Sequence, residues 1–399
     1  MLSSRERVRL TFSFQEPDRI PLFEQSIAPN VASEILGRNA YTGWCGNGHY
    51  QIVRALIEDK RDFIVKKIFK DVLDLHLKLD LDIVRPPLAS SVDSKGPSKI
   101  IDKYTFFYED ENTGNWYIYR YNPLSMEYML IDSSIRREGV KAIIRVVEYL
   151  EEESPSIDES VFEIFDLIYD ELGDQKCFAG YGGIGIPMEI KWIKLLVTNL
   201  NIVERYLDQQ LKRTLLFIEK CRRRGADFIL GGGDLAGTTG PIYSPKLFRK
   251  IILPRLRRIT DFCHRYGLKY IFRTDGNIWP IAKELFIESG VDGYGEIDAQ
   301  AGMRLDELRK NFPDLILWGN VDCANTLVFG PEEKVVFETI QNIIWGGPGG
   351  GYILGSSNTI HPNVKAKYFI TMLNIAKKYG RYPINRNLLH NVIKNIYFN

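Results

Sequence analysis

The sequence predicts an α/β protein in which eight parallel strands close into a (β/α)8 barrel. Short apolar stretches alternate with helical stretches along most of the chain, and eight such apolar stretches are present. Each ends in glycine or polar residues, as buried parallel strands do where they leave a sheet. This alternation favours right-handed parallel crossovers, and eight strands is the number that closes such a barrel.

The hydrophobic pattern places each element. The predicted strands are residues 22–27, 81–85, 177–181, 227–230, 270–272, 291–294, 315–319 and 352–354. Helical patterns cover most of 30–78, 136–172 and 187–224. A doubly wound open sheet is the alternative, but no Gly-x-Gly-x-x-Gly motif follows the first strand, which disfavours it. We therefore expect one barrel domain over residues 1–399.

Residues 100–131 have a different composition from the rest of the chain. Two aromatic-rich stretches, 104–108 and 116–121, flank an Asn-Thr-Gly sequence. Aromatic residues on both sides of a glycine turn are typical of a β-hairpin. Because an antiparallel hairpin does not fit a parallel barrel, we expect an insertion after the second strand whose rings cover a partner protomer or the rim of the active site.

Composition excludes several classes of function. The 399 residues include 52 Lys and Arg against 51 Asp and Glu, a net charge of +1 that offers no field for nucleic acid or an acidic membrane. The N-terminus lacks an apolar signal segment, and no apolar run reaches about 18 residues. The five cysteines are scattered and form no Cys-x-x-Cys pair, which disfavours disulfides and zinc knuckles. We expect a cytoplasmic protein that acts on a small molecule. The sequence leaves open whether it forms a homodimer.

In a barrel of this kind, active sites lie at the carboxyl ends of the strands. Polar residues follow nearly every predicted strand: Glu24, Arg85, Tyr181, Asp234, Arg273, Asp275, Asn277, Glu296, Asp298, Asn320, Asp322 and Ser356. A carboxylate such as Glu24 within an apolar strand is costly unless it is paired, binds metal or faces a cavity, and we favour the cavity. One cavity at the mouth is predicted to be lined by Glu24, Asp234, Arg273, Asp275, Asn277, Glu296 and Ser356.

Structural roles are the alternative for some of these residues. Asn277 and Asp322 have the side chains that most often cap a following helix. Arg273 and Asp275 could pair with each other or with neighbouring residues in a structural ion network. The glycines at 231–233 follow the fourth strand, where missing side chains let a ligand approach the backbone.

Ordered motifs in the chain resemble a known family. They are Gly-Asp-Leu-Ala-Gly-Thr-Thr-Gly-Pro-Ile-Tyr-Ser-Pro at 233–245, Phe-Arg-Thr-Asp-Gly-Asn-Ile-Trp-Pro at 272–280, Trp-Gly-Asn-Val-Asp at 318–322 and Pro-Asp-Arg-Ile-Pro at 17–21. Together they resemble the uroporphyrinogen decarboxylase superfamily, specifically its branch of cobalamin-linked methyltransferases. The resemblance implies a (β/α)8 barrel, in agreement with the strand count.

Two departures from the family pattern bear on the reaction. The decarboxylases carry an arginine-rich segment near the N-terminus that holds substrate carboxylates, whereas residues 25–29 contain no arginine. The methyltransferases carry His-x-Cys-Gly-Asn, whose His and Cys hold zinc, whereas this chain has Arg273 and Asp275 at those positions. A guanidinium cannot ligate a metal, and the family's further cysteine is absent from 354–357.

The resemblance leaves two mechanisms open for a methyltransferase of the O-demethylase type. Glu24, Asp275 and Glu296 could hold a metal such as zinc that acts as a Lewis acid on an ether or alcohol oxygen. Alternatively, Arg273 anchors a substrate carboxylate or phosphate and Asp275 or Asp234 is the general acid, without metal. In either case the implied methyl acceptor is a corrinoid on a partner protein.

The residues assigned to the site on this basis fall into two groups. The predicted catalytic residues are Asp234, Asp275 and Glu296, and the predicted substrate-binding residues are Arg273, Asn277, Tyr181, Ser356 and Asn320. A decarboxylase of tetrapyrrole metabolism, and a non-catalytic relative that binds a small anion or a tetrapyrrole, are the alternative functions.

Overall fold

The computed structural model describes residues 2–398 and contains a curled sheet of parallel strands surrounded by helices. Its strands in chain order are β1 (Ile83–Val84), β2 (Lys99–Asp102), β3 (Thr105–Asp110), β4 (Asn115–Asn122), β5 (Glu127–Ser133), β6 (Cys177–Tyr181), β7 (Phe228–Gly232), β8 (Ala236–Gly237), β9 (Gly240–Pro241), β10 (Lys269–Arg273), β11 (Gly293–Ile297), β12 (Ile316–Gly319) and β13 (Tyr352–Ile353).

Helices precede, separate and follow these strands. They are α1 (Ser4–Phe12), α2 (Pro29–Leu36), α3 (Gly48–Ile57), α4 (Arg61–Leu79), α5 (Ser134–Glu138), α6 (Val140–Glu152), α7 (Glu163–Leu172), α8 (Ile190–Thr198), α9 (Leu200–Arg223), α10 (Pro245–Leu247), α11 (Leu253–Arg265), α12 (Leu305–Asn311), α13 (Thr326–Phe329), α14 (Glu332–Gly346), α15 (Ala366–Tyr379) and α16 (Arg386–Phe398). Over residues 2–398, none of them combines the length and the apolar character needed to cross a bilayer.

Seven parallel strands form the main sheet in the order β1-β6-β7-β10-β11-β12-β13. Each corresponds to one predicted apolar stretch, and the order follows the chain, as right-handed crossovers require. The α/β class and the barrel-like curl of the sheet are therefore confirmed.

The first predicted strand, 22–27, is not a regular strand. Leu22 and Ile27 form only isolated parallel bridges, with Leu354 and Ile360 respectively. Hydrogen bonds nevertheless join this segment to both edges of the sheet, because Asp82 N donates to Leu22 O at 2.9 Å and Phe23 N donates to Leu354 O at 3.1 Å. An irregular segment thus occupies the place of the eighth strand.

Two layers of apolar side chains hold the fold together. The outer layer packs the strands against the surrounding helices. The inner layer fills the ring of strands with side chains such as Phe23, Phe228 and Trp318. Helix α1 contributes Val8 to this inner layer, and the Phe12 ring lies 5.2 Å from that of Phe228. The opposite, carboxyl end of the strands is the end left for polar residues.

The region after β1 is larger than the predicted two-stranded hairpin. Strands β3 and β4 pair antiparallel around the predicted turn, and β2 and β5 extend them to a separate four-stranded sheet. Its aromatic rings cover α3 of the same chain: Tyr50 stacks on Tyr121 at 4.3 Å, and His49 stacks on Tyr128 at 6.0 Å. The outer strands were missed because β2 is fully exposed and β5 alternates exposed and half-buried residues.

Candidate active site

A cavity of about 450 Å³ lies at the carboxyl ends of the parallel strands and is lined by both acidic and basic side chains. We call it the carboxylate cavity. Its lining residues are Gln25, Ser26, Arg85, Met188, Asp234, Ala236, Arg273, Asp275, Glu296, Asn358 and Thr359. Four residues predicted to share one cavity, Asp234, Arg273, Asp275 and Glu296, do so here.

Arg273 and Glu296 face each other from the ends of adjacent strands β10 and β11. The Arg273 Nη1 atom lies 3.3 Å from Glu296 Oε1 and 3.4 Å from Oε2. Burial raises the pKa of the Glu296 carboxyl, and the positive charge of Arg273 opposes that rise. Of the two structural pairings considered for Arg273, the structure shows the one with a neighbouring residue, Glu296, and not the one with Asp275.

Glu296 is held from a second side by Gln25, whose Nε2 donates to Glu296 Oε1. Its backbone has φ +61°, in the left-handed region that non-glycine residues rarely adopt. Such outliers persist only where the surroundings fix them, often at functional sites. Gln25 was missed as a site residue because strand alternation would place it and Glu24 on opposite faces. The segment is irregular, so Glu24 and Gln25 both line cavities.

Asp275 is the less constrained carboxyl of the carboxylate cavity. It is half-buried and accepts one side-chain hydrogen bond, from Asn358 Nδ2 at 3.2 Å. Burial is the largest cause that raises the pKa of its carboxyl, and the negative charges of Asp234 and Asp298 raise it further. Asp275 thus retains a proton to higher pH than an ordinary aspartic acid, as a general acid must.

Arg85 lies where the carboxylate cavity meets two further cavities. Its guanidinium carbon lies 4.2 Å from the centroid of the Tyr181 ring, and its Nη1 donates to Gln25 Oε1 at 3.0 Å. Tyr181 in turn donates its hydroxyl to Pro86 O at 2.7 Å, which fixes the ring beneath the cation. Burial lowers the pKa of Arg85, but from a value so high that the side chain stays charged.

Glu24 lies in a neighbouring, more apolar cavity of about 460 Å³. Its carboxyl accepts hydrogen bonds from Ser356 N at 2.7 Å and Ser356 Oγ at 2.6 Å. Burial raises the pKa of Glu24 to about 8 in spite of these bonds, so the group is mostly neutral at pH 7. Ser356, predicted to bind substrate, is fully buried behind Glu24 and acts through it.

Asn277 and Asn320 were also predicted to bind substrate. In the structure their side chains form hydrogen bonds with backbone groups of the protein instead. The side-chain Oδ1 atom of Asn277 accepts a hydrogen bond from Trp279 N at 3.1 Å, at the start of the turn at 279–281. Asn320 donates from Nδ2 to Ile297 O and Met303 O, each at 3.0 Å. Asp322 accepts from Ala324 N at 2.8 Å, in keeping with the capping alternative.

The three carboxyls proposed as metal ligands do not fit a metal. The Glu24 carboxyl accepts hydrogen bonds from Ser356, and the Glu296 carboxyl accepts hydrogen bonds from Gln25 and Arg273. Within residues 2–398, no group of three or more His, Cys, Asp or Glu side chains is close enough to hold a metal ion. We therefore derive no step through zinc.

The glycines at 231–233 serve backbone packing as well as the cavities. A Cβ on Gly231 would lie 1.7 Å from Gly182 O, and one on Gly232 would lie 2.1 Å from Arg273 O. Gly232 also has φ +151°, which L side chains rarely adopt. The neighbouring strands, rather than a ligand alone, therefore require these glycines.

Fold and site together define an α/β barrel protein with a charged cleft at the strand ends. Residues 185–379 match the family model described as uroporphyrinogen decarboxylase (URO-D), which confirms the resemblance seen in the motifs. No curated protein sequence matches the chain.

Solved structures extend the likeness over nearly the whole chain. A methyltransferase from Methanosarcina mazei is 16% identical, covers 95% of this chain and 99% of its own, and superposes with a TM-score of 0.63. A Listeria monocytogenes protein described as a vitamin-B12-independent methionine synthase is 10% identical, with 90% of this chain and 98% of that chain covered and a TM-score of 0.49. At 16% identity, the likeness to the Methanosarcina mazei structure establishes the fold alone.

Proposed function

We propose that this chain is a methyltransferase that removes a methyl group from an oxygen of a small anionic substrate. One observation supports this most directly: a cation, Arg273, and a carboxyl with a raised pKa, Asp275, line the same cavity at the strand ends. The cation would orient the anion of the substrate, and the carboxyl would serve the departing oxygen. The URO-D match and the methyltransferase fold neighbour agree with an enzyme of this class.

The chemical step balances without a metal in this chain. The bond between oxygen and methyl carbon breaks, and its electron pair stays on the oxygen. That oxygen takes the proton of Asp275 and leaves as an alcohol, while the methyl carbon bonds to a nucleophilic acceptor. Asp275 then regains its proton from solvent. The acceptor that the resemblance implies is a corrinoid on a partner protein, which supplies a strong nucleophile.

Arg273 and Glu296 have supporting parts in this mechanism. The Glu296 carboxyl sits beside Arg273 and competes with the substrate anion for it, and the long contacts of 3.3 and 3.4 Å leave the guanidinium free to shift. Asp234 is exposed, and its negative charge adds to the rise in the pKa of the Asp275 carboxyl that burial causes. It is a positioning charge rather than the acid.

The test is turnover of methoxylated carboxylic acids with a free reduced corrinoid as acceptor. We expect the demethylated acid to appear by mass spectrometry, together with the spectral change of the methylated corrinoid. Asp275→Asn should lower kcat by about 10²- to 10⁴-fold, which is what a general acid contributes. Asp314→Asn, at an exposed aspartate, is the matched control and should leave kcat unchanged. Release of carbon dioxide without demethylation would instead identify a decarboxylase.

A further inference from the structure

A second cavity of about 450 Å³ lies beside the carboxylate cavity, between the ends of β6, β7 and β10 and the helix α9. We call it the arginine cavity, because Arg85, Arg213 and Arg273 all line it. Arg85 and Arg273 line the carboxylate cavity as well, so the two cavities meet at these side chains.

The arginine cavity has three cations and no acidic lining. Among the residues that the structure describes, no aspartate or glutamate lines it. Arg273 has Glu296 as a neighbour, but that carboxylate belongs to the carboxylate cavity. Arg213, which is half-buried on α9, forms no ion pair and no hydrogen bond with any residue in 2–398. Positive charge is therefore in surplus around this space.

All three arginines also have an unsatisfied polar atom. The Nε atoms of Arg85, Arg213 and Arg273 are buried and lack a hydrogen-bond partner within the described chain. A buried donor without a partner costs free energy, and the fold carries this cost at each of the three arginines that line the cavity. Guanidinium groups donate in a planar fork that matches the oxygens of phosphate and carboxylate.

Hydrogen bonds join the helix that carries Arg213 to the loop after β6. Thr214 Oγ1 donates to Gly183 O at 2.6 Å, and Gly185 N donates to Gln210 Oε1 at 2.8 Å. These bonds fix α9 against the glycine loop after β6 and so fix the position of Arg213. The remaining surface is apolar, with Ile157, Phe217 and Leu230 among its lining residues.

We propose that the arginine cavity binds a doubly charged oxyanion, a phosphate monoester or a dicarboxylate, attached to an apolar body. Three guanidiniums without a carboxylate partner in the cavity suit two negative charges better than one. The apolar walls receive the body of the molecule. That this molecule is the methyl donor, with its methoxy end in the carboxylate cavity, rests on the proposed function. Binding of the dianion does not.

The experiment measures binding by calorimetry at about pH 7.5, where a phosphate monoester carries close to two charges. The probes are phenyl phosphate, phthalate and benzoate, which share an aromatic body and differ in charge. We expect phenyl phosphate or phthalate to bind at least about tenfold more tightly than benzoate. The tighter of the two dianions identifies the source of the charge. Equal affinity for all three probes would overturn the proposal.

A pair of variants on one helix tests the role of Arg213. Arg213→Gln should weaken binding of the preferred dianion by about tenfold or more, whereas Lys212→Gln, which removes an exposed charge next to it, should change it less than about twofold. Arg213→Lys should retain part of the affinity. Equal effects of Arg213→Gln and Lys212→Gln would refute a specific role for Arg213.

A measurement on the unaltered protein removes any dependence on the folding of the variants. The preferred dianion should protect Arg213 from an arginine-specific dicarbonyl reagent, as read from its peptide by mass spectrometry. Failure of protection would overturn the proposal even if the binding affinity were high. None of these readouts uses turnover, so failure of methyl transfer would refute the proposed function alone.

Discussion

The Nη1 atom of Arg7 in α1 lies 2.5 Å from Oδ1 of Asp82, the fully buried carboxylate that immediately precedes β1. Arg19 donates to the same carboxylate at 2.6 Å, and Leu22 N donates to it at 2.8 Å. One side chain therefore ties the first helix and the irregular first segment to the sheet. Arg7, and Arg19 of the Pro-Asp-Arg-Ile-Pro sequence, therefore have a structural role in this cluster.

Asp82→Ala should lower the free energy of unfolding by about 3 to 5 kcal/mol, because it leaves two guanidiniums without their buried partner. Urea denaturation followed by circular dichroism measures the loss. Asp174→Ala, at an exposed aspartate, is the control and should stay within about 0.5 kcal/mol of the parent protein. A similar loss in both variants would mean that Asp82 does not hold the first segment in place.

Periodicity was enough to predict the seven parallel strands, because each is an apolar run bounded by glycine or polar residues. It was not enough for residues 22–27, where side-chain and bridge contacts replace a regular ladder. The exposed strand β2 was also missed, since its Lys-Ile-Ile-Asp sequence covers no core. Local pattern thus predicts strands that bury a face, and it fails where tertiary contacts alone define the strand.

The candidate site was predictable in position but not in pairing. Strand ends indicated Arg273, Asp275 and Glu296, yet only the register of β10 against β11 decides that Arg273 meets Glu296. Arg213 could not have been found this way, because it lies within α9 rather than after a strand. Tertiary packing places this helix beside the strand ends, and the sequence pattern does not predict that packing.

Phe106→Ala should destabilise the inserted four-stranded sheet by about 3 to 5 kcal/mol, the usual cost of removing a buried phenylalanine. Phe106 is fully buried and its ring lies 6.2 Å from that of Tyr50 on α3. The neighbouring Phe107 points to the opposite face and is half-buried, so Phe107→Ala is the matched control. Hydrogen exchange over residues 99–133 measures the effect. Faster exchange in the control than in Phe106→Ala would contradict this packing.

Arg273→Ala should leave the fold nearly intact while it abolishes binding of an anionic ligand. The Arg273 side chain is 30% exposed and its contacts with Glu296 are long, so the lost ion pair should cost less than breaking a fully buried pair. Thermal melts with and without benzoate measure both quantities. We expect melting within a few degrees of the parent protein and no stabilisation by benzoate.

The control for this variant is Arg258→Ala, which removes an exposed arginine from α11 and should leave benzoate binding unchanged. The opposite pattern would assign Arg273 a structural role: a large fall in melting temperature of the ligand-free Arg273→Ala protein, with unchanged affinity in the fraction that still folds.

Glu24→Gln should make stability less dependent on pH. Burial raises the pKa of Glu24 from 4.5 to about 8, so the folded state holds a proton that the unfolded state releases between these values. This contribution to stability is complete below about pH 4.5 and is lost as the pH rises through about 8. Each unit of pKa displacement is worth about 1.4 kcal/mol, so the parent protein should lose several kcal/mol over the interval.

Glutamine keeps the local hydrogen bonds without the charge. Its carbonyl can accept from Ser356 N, and its amide can donate to Ser356 Oγ, whose hydroxyl then donates to Asn358 O at 3.3 Å. Urea denaturation at about pH 5 and about pH 9 measures the free energy of unfolding. As the pH rises, this free energy should increase for the variant relative to the parent protein. Glu152→Gln, at an exposed position, should show no such gain. The opposite result would be the same difference in free energy of unfolding between Glu24→Gln and the parent protein at both pH values. Glu24 would then be ionised in the folded state throughout this range. It would not be a neutral carboxyl beside the site.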